Sequence, residues 1–140
     1  MKNNNYPTWL VPLEIAKELK EIGFDVVCQN WQAYESFVSV NFTYLDRYRK
    51  NNYDVTTIPT WEQVFEWFRN KKIYGNVNQE WEYGRYNSPK RLNYFYVIND
   101  CRKKDINKTE AIVNGGFDNY EEAREELVKT LIQTYKSEQL

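Results

Sequence analysis

The chain has 140 residues, 41% apolar and 28% charged, which fits one folded domain over residues 1–140 and excludes a disordered chain. Its formal net charge of -1 excludes a chain-wide attraction to nucleic acid or to an anionic membrane. No stretch approaches the ~20 apolar residues of a membrane-spanning helix. With 12 Tyr, 7 Phe and 5 Trp, the expected core is rich in rings.

The start, Met1-Lys2-Asn3-Asn4-Asn5-Tyr6-Pro7, lacks the apolar run of a signal peptide, so the expected location is the cytoplasm of the cell that makes it. Without a sign of an oxidising compartment, Cys28 and Cys101 are expected as free, mostly buried thiols.

The first predicted helix runs from Pro12 to Ile22. Ile15, Ala16, Leu19 and Ile22 recur at helical spacing, while Glu14, Lys17, Glu18, Lys20 and Glu21 face water. Gly23 is placed to end it in a left-handed conformation, with Phe24 folding back onto the last turn. Strands are expected over Asp25–Trp31 and Val38–Tyr44, the second with Val38, Val40, Phe42 and Tyr44 on one face. Asp46–Asp54 reads as an exposed loop.

Thr60 and Gln63 form a capping box that opens a second helix, whose apolar stripe is Trp61, Val64, Phe65 and Phe68. From Ile73 to Tyr83 the period changes to alternation. Ile73, Val77, Trp81 and Tyr83 point to one side, and Asn76, Asn78, Glu80 and Glu82 to a wet one. After a turn-rich loop, Arg91–Cys101 is a strand with apolar residues on both faces, which places it centrally. Thr109–Val113 is a short last strand. Gly115-Gly116 allows a tight turn into a final helix opened by Asp118 and Glu121, with Tyr120, Ala123, Leu127 and Leu131 as its stripe. The predicted fold is α+β: an antiparallel sheet of four to five strands with three helices packed on one face.

The chain has no histidine, which removes the commonest general base and the commonest neutral metal ligand. There is no P-loop and no Gly-x-Gly-x-x-Gly. Glu80 and Glu82 share a strand face and in principle suit a hydrolase or a hard cation, but their neighbours Asn76 and Asn78 describe an ordinary solvated surface. No catalytic residue, cofactor site or metal ligand is therefore assigned.

The most suggestive cluster is basic and aromatic: Arg85, Tyr86, Lys90, Arg91 and Tyr94, with Arg102, Lys103 and Lys104 at the far end of the same strand. Rings and cations on a sheet are what single-stranded nucleic acid needs; the alternative is rings packing the sheet and cations solvating loops. A strand of ~10 residues spans ~33 Å, so the two basic groups do not form one patch. Trp67 lies off the stripe of its helix; it is either an exposed anchor for a protein partner or part of a wide apolar face.

Three segments, Gly23-Phe24-Asp25 with Cys28, Pro59-Thr60-Trp61 running into Trp67-Phe68-Arg69, and Phe117-Asp118-Asn119-Tyr120-Glu121-Glu122-Ala123, together resemble a group of short proteins encoded by phages and mobile elements of gut anaerobic bacteria. The chain departs from that pattern at Val26-Val27, where an acidic residue and proline are common, and around Arg102. The group has no established activity, so the resemblance implies a setting, the cytoplasm of a bacterial host, and no functional residue.

The expected function is a non-enzymatic binding module acting on a protein partner, with a homodimer admitted and no membrane involved. Its candidate interaction surface is Arg85, Tyr86, Lys90, Arg91, Tyr94 and Trp67. The alternatives are a single-stranded nucleic-acid-binding protein and, from another class, a ligand-binding or carboxylate- and metal-dependent enzyme.

Overall fold

In a computed structural model, residues 8–26, 32–34, 37–39, 55–102 and 111–137 are described. They fall into two units, Met1–Trp67 and Phe68–Leu140.

In the first unit, Pro12 immediately precedes helix α1, Leu13–Glu21, which buries Ile15, Ala16 and Leu19. Gly23 adopts φ +94, and the N–H groups of Gly23 and Phe24 donate to the carbonyls of Lys20 (3.1 Å) and Leu19 (3.0 Å). That pair of bonds is the Schellman stop the sequence calls for, and a side chain at Gly23 would strain it. Three short strands follow, β1 (Gln32–Tyr34), β2 (Phe37–Ser39) and β3 (Val55–Thr57), in the antiparallel order β2-β1-β3. Helix α1 lies against β3. The expected strand over Asp25–Trp31 has no strand geometry at Asp25 and Val26, and its remainder lies outside the described residues. So do most of the Val38–Tyr44 strand, the Asp46–Asp54 loop and Cys28.

Helix α2, Trp61–Asn70, starts with the reciprocal box: Thr60 N–H donates to Gln63 Oε1 at 2.8 Å, and Gln63 N–H donates to Thr60 Oγ1 at 3.2 Å. Trp61 is fixed by its indole N–H, which donates to Thr8 O at 2.9 Å. Leu10, Val11, Ile58 and Val64 are buried here as well.

The second unit is built on one long meander: β4 (Ile73–Tyr83), β5 (Pro89–Asp100) and β6 (Ala111–Phe117), in the order β4-β5-β6 with β5 central as expected. Helix α3, Tyr120–Ser137, packs on β4 and β5 and buries Ala123, Leu127, Val128, Leu131 and Ile132. It presses on the face carrying the odd residues of β4. A Cβ at Gly75 would lie 2.9 Å from Leu127 Cδ1 and 3.2 Å from Leu131 Cδ1, so any side chain there would have to displace the leucines that pack on the strand. The register places Ile98 and Tyr96 of β5 on that same face. The Tyr96 hydroxyl shares a 2.8 Å bond with Thr130 Oγ1 of α3 and accepts from Asn114 Nδ2 of β6 at 3.3 Å.

The architecture is α+β, but a single sheet of four to five strands is not seen. The described strands form two separate three-stranded sheets. The physical reason is locality: the three strands of the second sheet follow one another in sequence and pair in succession, which costs the least loop-closure entropy.

Gly115-Gly116 is also not a turn before the helix. Both residues lie inside β6, where together they oppose Phe95 in a bulge between the pairs Tyr94–Phe117 and Tyr96–Asn114. Gly116 takes φ +89 and donates its N–H to Asn93 Oδ1 at 2.8 Å, and a Cβ at Gly115 would fall 3.0 Å from Phe95 Cβ.

The expected cap of α3 shifts by one residue. Asn119 Oδ1 accepts from Glu122 N–H at 2.9 Å, whereas Asp118 pairs with Arg91. Asn119→Ala is therefore expected to cost about 1 kcal/mol in urea melts and Asp118→Ala, a largely exposed ion-pair partner, under about 0.5 kcal/mol.

Candidate functional site

Strand β6 pairs with β5 only from Tyr94 to Asn99, whereas β4 stays paired with β5 to its end. The segments Glu80–Tyr83 and Pro89–Asn93 therefore continue beyond β6 as a two-stranded ribbon. Its end is closed by Gly84–Ser88, where Gly84 N–H donates to Ser88 O at 2.8 Å and Ser88 Oγ donates to Arg85 O at 3.0 Å.

At this end the chain exposes rings. Trp81 is 54% exposed, Tyr83 62% and Tyr86 100%. The alternation of β4 marks Trp81 and Tyr83 as inward, yet α3 and β6 do not shield them. Tyr86 adopts φ 64, ψ 28 within a short 3-10 turn, Arg85–Asn87. That left-handed conformation costs a non-glycine residue about 1–2 kcal/mol.

Of the candidate residues, Arg85, Tyr86 and Lys90 come together at the ribbon end, all exposed. Arg91 lies on the opposite face from Trp81. It is held between Glu82 Oε2 (3.0 Å) and Asp118 Oδ1 (3.2 Å), so its charge is locally compensated. Tyr94 is half-buried and lines a shallow depression of about 440 Å³ with Val77, Asn78, Gln79 and Tyr120. Beside it on α3, Arg124 stands over the Tyr120 ring at 5.4 Å, and burial lowers its pKa from the usual arginine value.

Trp67 does not belong to this surface. It is 5% exposed, stacks at a tilt on Phe24 with ring centroids 5.7 Å apart, and donates its indole N–H to Asp25 Oδ1 at 3.2 Å. The wide-apolar-face reading of α2 is the correct one, because Phe24, folded back by the Schellman stop, supplies a ring to cover it.

The second basic group also disperses. Arg102 donates from Nε and Nη2 to the two Asp100 oxygens (2.9 and 2.7 Å), from Nη2 to Thr134 O (3.0 Å) and from Nη1 to Tyr135 O (3.4 Å), which makes it a brace for α3. Lys103 and Lys104 lie outside the described residues.

Sequence reasoning missed Trp81 and Tyr83 as surface residues. The signal that points to them is the excess length of β4 and β5 over β6. Among the described residues, no three of His, Cys, Asp and Glu gather as metal ligands, and no helix is long and apolar enough to cross a membrane. Cys101 is a free thiol but exposed rather than buried as expected, because it lies just past the end of β5. The arrangement supplies rings, a few cations and an open strand edge, which suit docking. Compared with known protein families, with curated proteins and with solved structures, the chain finds no match.

Proposed function

We propose that this chain is a non-enzymatic binding module, of the phage and mobile-element setting its sequence resembles, acting in a bacterial cytoplasm on a protein partner through the end of the β4–β5 ribbon. The observation that carries this reading is Tyr86, wholly exposed while held in a left-handed conformation that a glycine would adopt at lower cost. Strain kept under a ring that touches no core points to a ring kept for contact. Trp81 and Tyr83 on the same ribbon, with Arg85 and Lys90 beside them, have the composition of an interface centre.

Single-stranded nucleic acid is the second reading, since exposed rings also stack on bases. It is disfavoured by Glu80, Glu82 and Asp118 along the ribbon and by the pairing of Arg91 with two of them. An enzyme or ligand-binding reading has less support, because Glu82 is committed to Arg91.

A photo-reactive amino acid placed at Tyr83 tests the proposal in the producing cell, with Glu62 as the control position. A discrete protein adduct at Tyr83, absent at Glu62 and lost with Trp81→Ala, is the expected result. No protein adduct, together with a gel shift of a mixed single-stranded oligonucleotide that falls steeply with salt, overturns it in favour of nucleic acid.

A further inference from the structure

The outer edge of β4 offers a second kind of surface. Cys101 N–H donates to Lys72 O at 2.8 Å, which makes Lys72 and Cys101 a hydrogen-bonded pair. Bonded and non-bonded pairs alternate along an antiparallel ladder. Tyr74, Asn76, Asn78 and Glu80 therefore bond to β5, and the N–H and C=O groups of Ile73, Gly75, Val77, Gln79 and Trp81 point out of the sheet. Among the described residues, no strand pairs with this edge.

Natural edges are blunted by short length, lysine, proline or a bulge. β6, the opposite edge, is 7 residues long and bulged at Gly115-Gly116. β4 is 11 residues long, holds no lysine and no proline, and is irregular only at Glu82 and Tyr83. Among the described residues, the β6 edge is blunted and the β4 edge carries no such device.

We infer that a second copy of this chain adds to β4 in antiparallel register about a two-fold axis at Val77, joining the β4-β5-β6 sheets of the two copies into one of six strands. The charge order along the segment selects this occupant. It is basic just before the strand, at Lys71 and Lys72, and acidic near its end, at Glu80 and Glu82. Such a segment complements itself when reversed: centring on Val77 brings Lys72, in the turn just before the strand, level with Glu82 of the second copy, where it joins the Glu82–Arg91 pair, with Glu80 one diagonal step away. Asn76 then faces Asn78 of the second copy, amide to amide.

Centring two residues later, on Gln79, instead brings the two copies' Glu80 side chains into diagonal reach, like charge on like. Centring on Val77 also lays the half-exposed Trp81 beside Ile73 of the second copy, at the margin of its buried core. Tyr83, Arg85, Tyr86 and Lys90 remain exposed at both ends of the pair. The inference stands on the backbone edge and the charge order, apart from the ribbon's role, and is tested apart from it.

The test is sedimentation of the full chain between ~1 and ~100 µM, a range in which a specific dimer shows a concentration-dependent mass. The expected result is a two-chain mass at the upper end. Gln79→Pro removes an outward N–H and no β4–β5 bond, and is expected to weaken the dimer at least ~10-fold. Lys72→Glu and Glu80→Lys, both at exposed positions, each weaken it, and the double variant recovers the part of the loss that belongs to the 72–80 diagonal, with Glu82 still opposing position 72. Hydrogen exchange gives an independent reading: the amides of Gly75, Val77 and Gln79 exchange slowly only at high concentration. A wild-type chain that stays a monomer at ~100 µM, or a dimer that none of these variants changes, overturns the inference.

Discussion

Arg102→Ala is expected to lower the stability of the chain by about 2–3 kcal/mol, read as a shift of the urea midpoint without a change in slope. The side chains of Arg102 and Asp100 are only 20% and 17% exposed, so the ion pair is shielded from water and salt. The guanidinium fork takes both Asp100 oxygens and still reaches Thr134 O and Tyr135 O. Those carbonyls belong to the last turn of α3, where four C=O groups have no partner within the helix and the macrodipole favours a cation. The guanidinium also lies 5.7 Å from the centre of the Tyr135 ring.

Removing the Arg102 guanidinium takes two charge-assisted bonds from the part-buried Asp100 carboxylate, which keeps the N–H of residue 102, and takes the cation from the Thr134 and Tyr135 carbonyls. Arg102→Lys keeps the charge but cannot serve carboxylate and carbonyls at once, so about half of the loss is expected to remain. A change below ~0.5 kcal/mol for Arg102→Ala would show that the brace is an ordinary surface pair.

Tyr86→Gly is expected to move stability and binding in opposite directions. Relief of the positive φ raises stability by about 1 kcal/mol, partly offset by the greater freedom of glycine in the unfolded chain. Loss of an exposed ring from an interface centre weakens partner binding by about 10- to 100-fold, the range of an aromatic anchor. Tyr86→Asn separates the two effects, since asparagine tolerates the left-handed region but carries no ring. Both variants should bind equally poorly and differ in melting temperature. Improved stability with unchanged binding would remove the support for the ribbon as a docking surface. Neither variant touches the outer edge of β4, so self-association measured in parallel stays unchanged.

The parts of the fold legible in the sequence are those set by short-range chemistry. Gly23 with Phe24, and Thr60 with Gln63, need only their own backbone neighbours to act, and both form as read. The alternation of β4 is equally local, and its register with β5 follows from a short connection. What alternation does not carry is coverage. It says that Trp81 and Val77 share a face, but not that the helix spans Val77 and stops short of Trp81.

The candidate site was half legible for a related reason. Charges near one another in sequence look like a patch until their counter-ions are placed. Arg91 finds Glu82 across the ribbon and Asp118 beyond β6, and Arg102 turns back to Asp100. Trp67 illustrates the converse: an apparently spare ring is buried because Phe24, 43 positions earlier, is folded onto it. The offset cap at Asn119 is a one-residue choice between neighbouring carbonyl-bearing side chains, decided once Asp118 is drawn to Arg91.

The contact at Gly75 sets a rule for how this chain can diverge. With the Leu127 and Leu131 methyl groups that close to the strand backbone, alanine at position 75 would force those buried side chains to shift, a cost that a smaller residue at 127 or 131 would relieve. Substitutions at the three positions should therefore arise together in any descendant of this sequence. A variant library that randomises position 75 alone should favour glycine, and one that also frees 127 and 131 should be enriched in larger residues at 75 paired with smaller ones at 127 or 131.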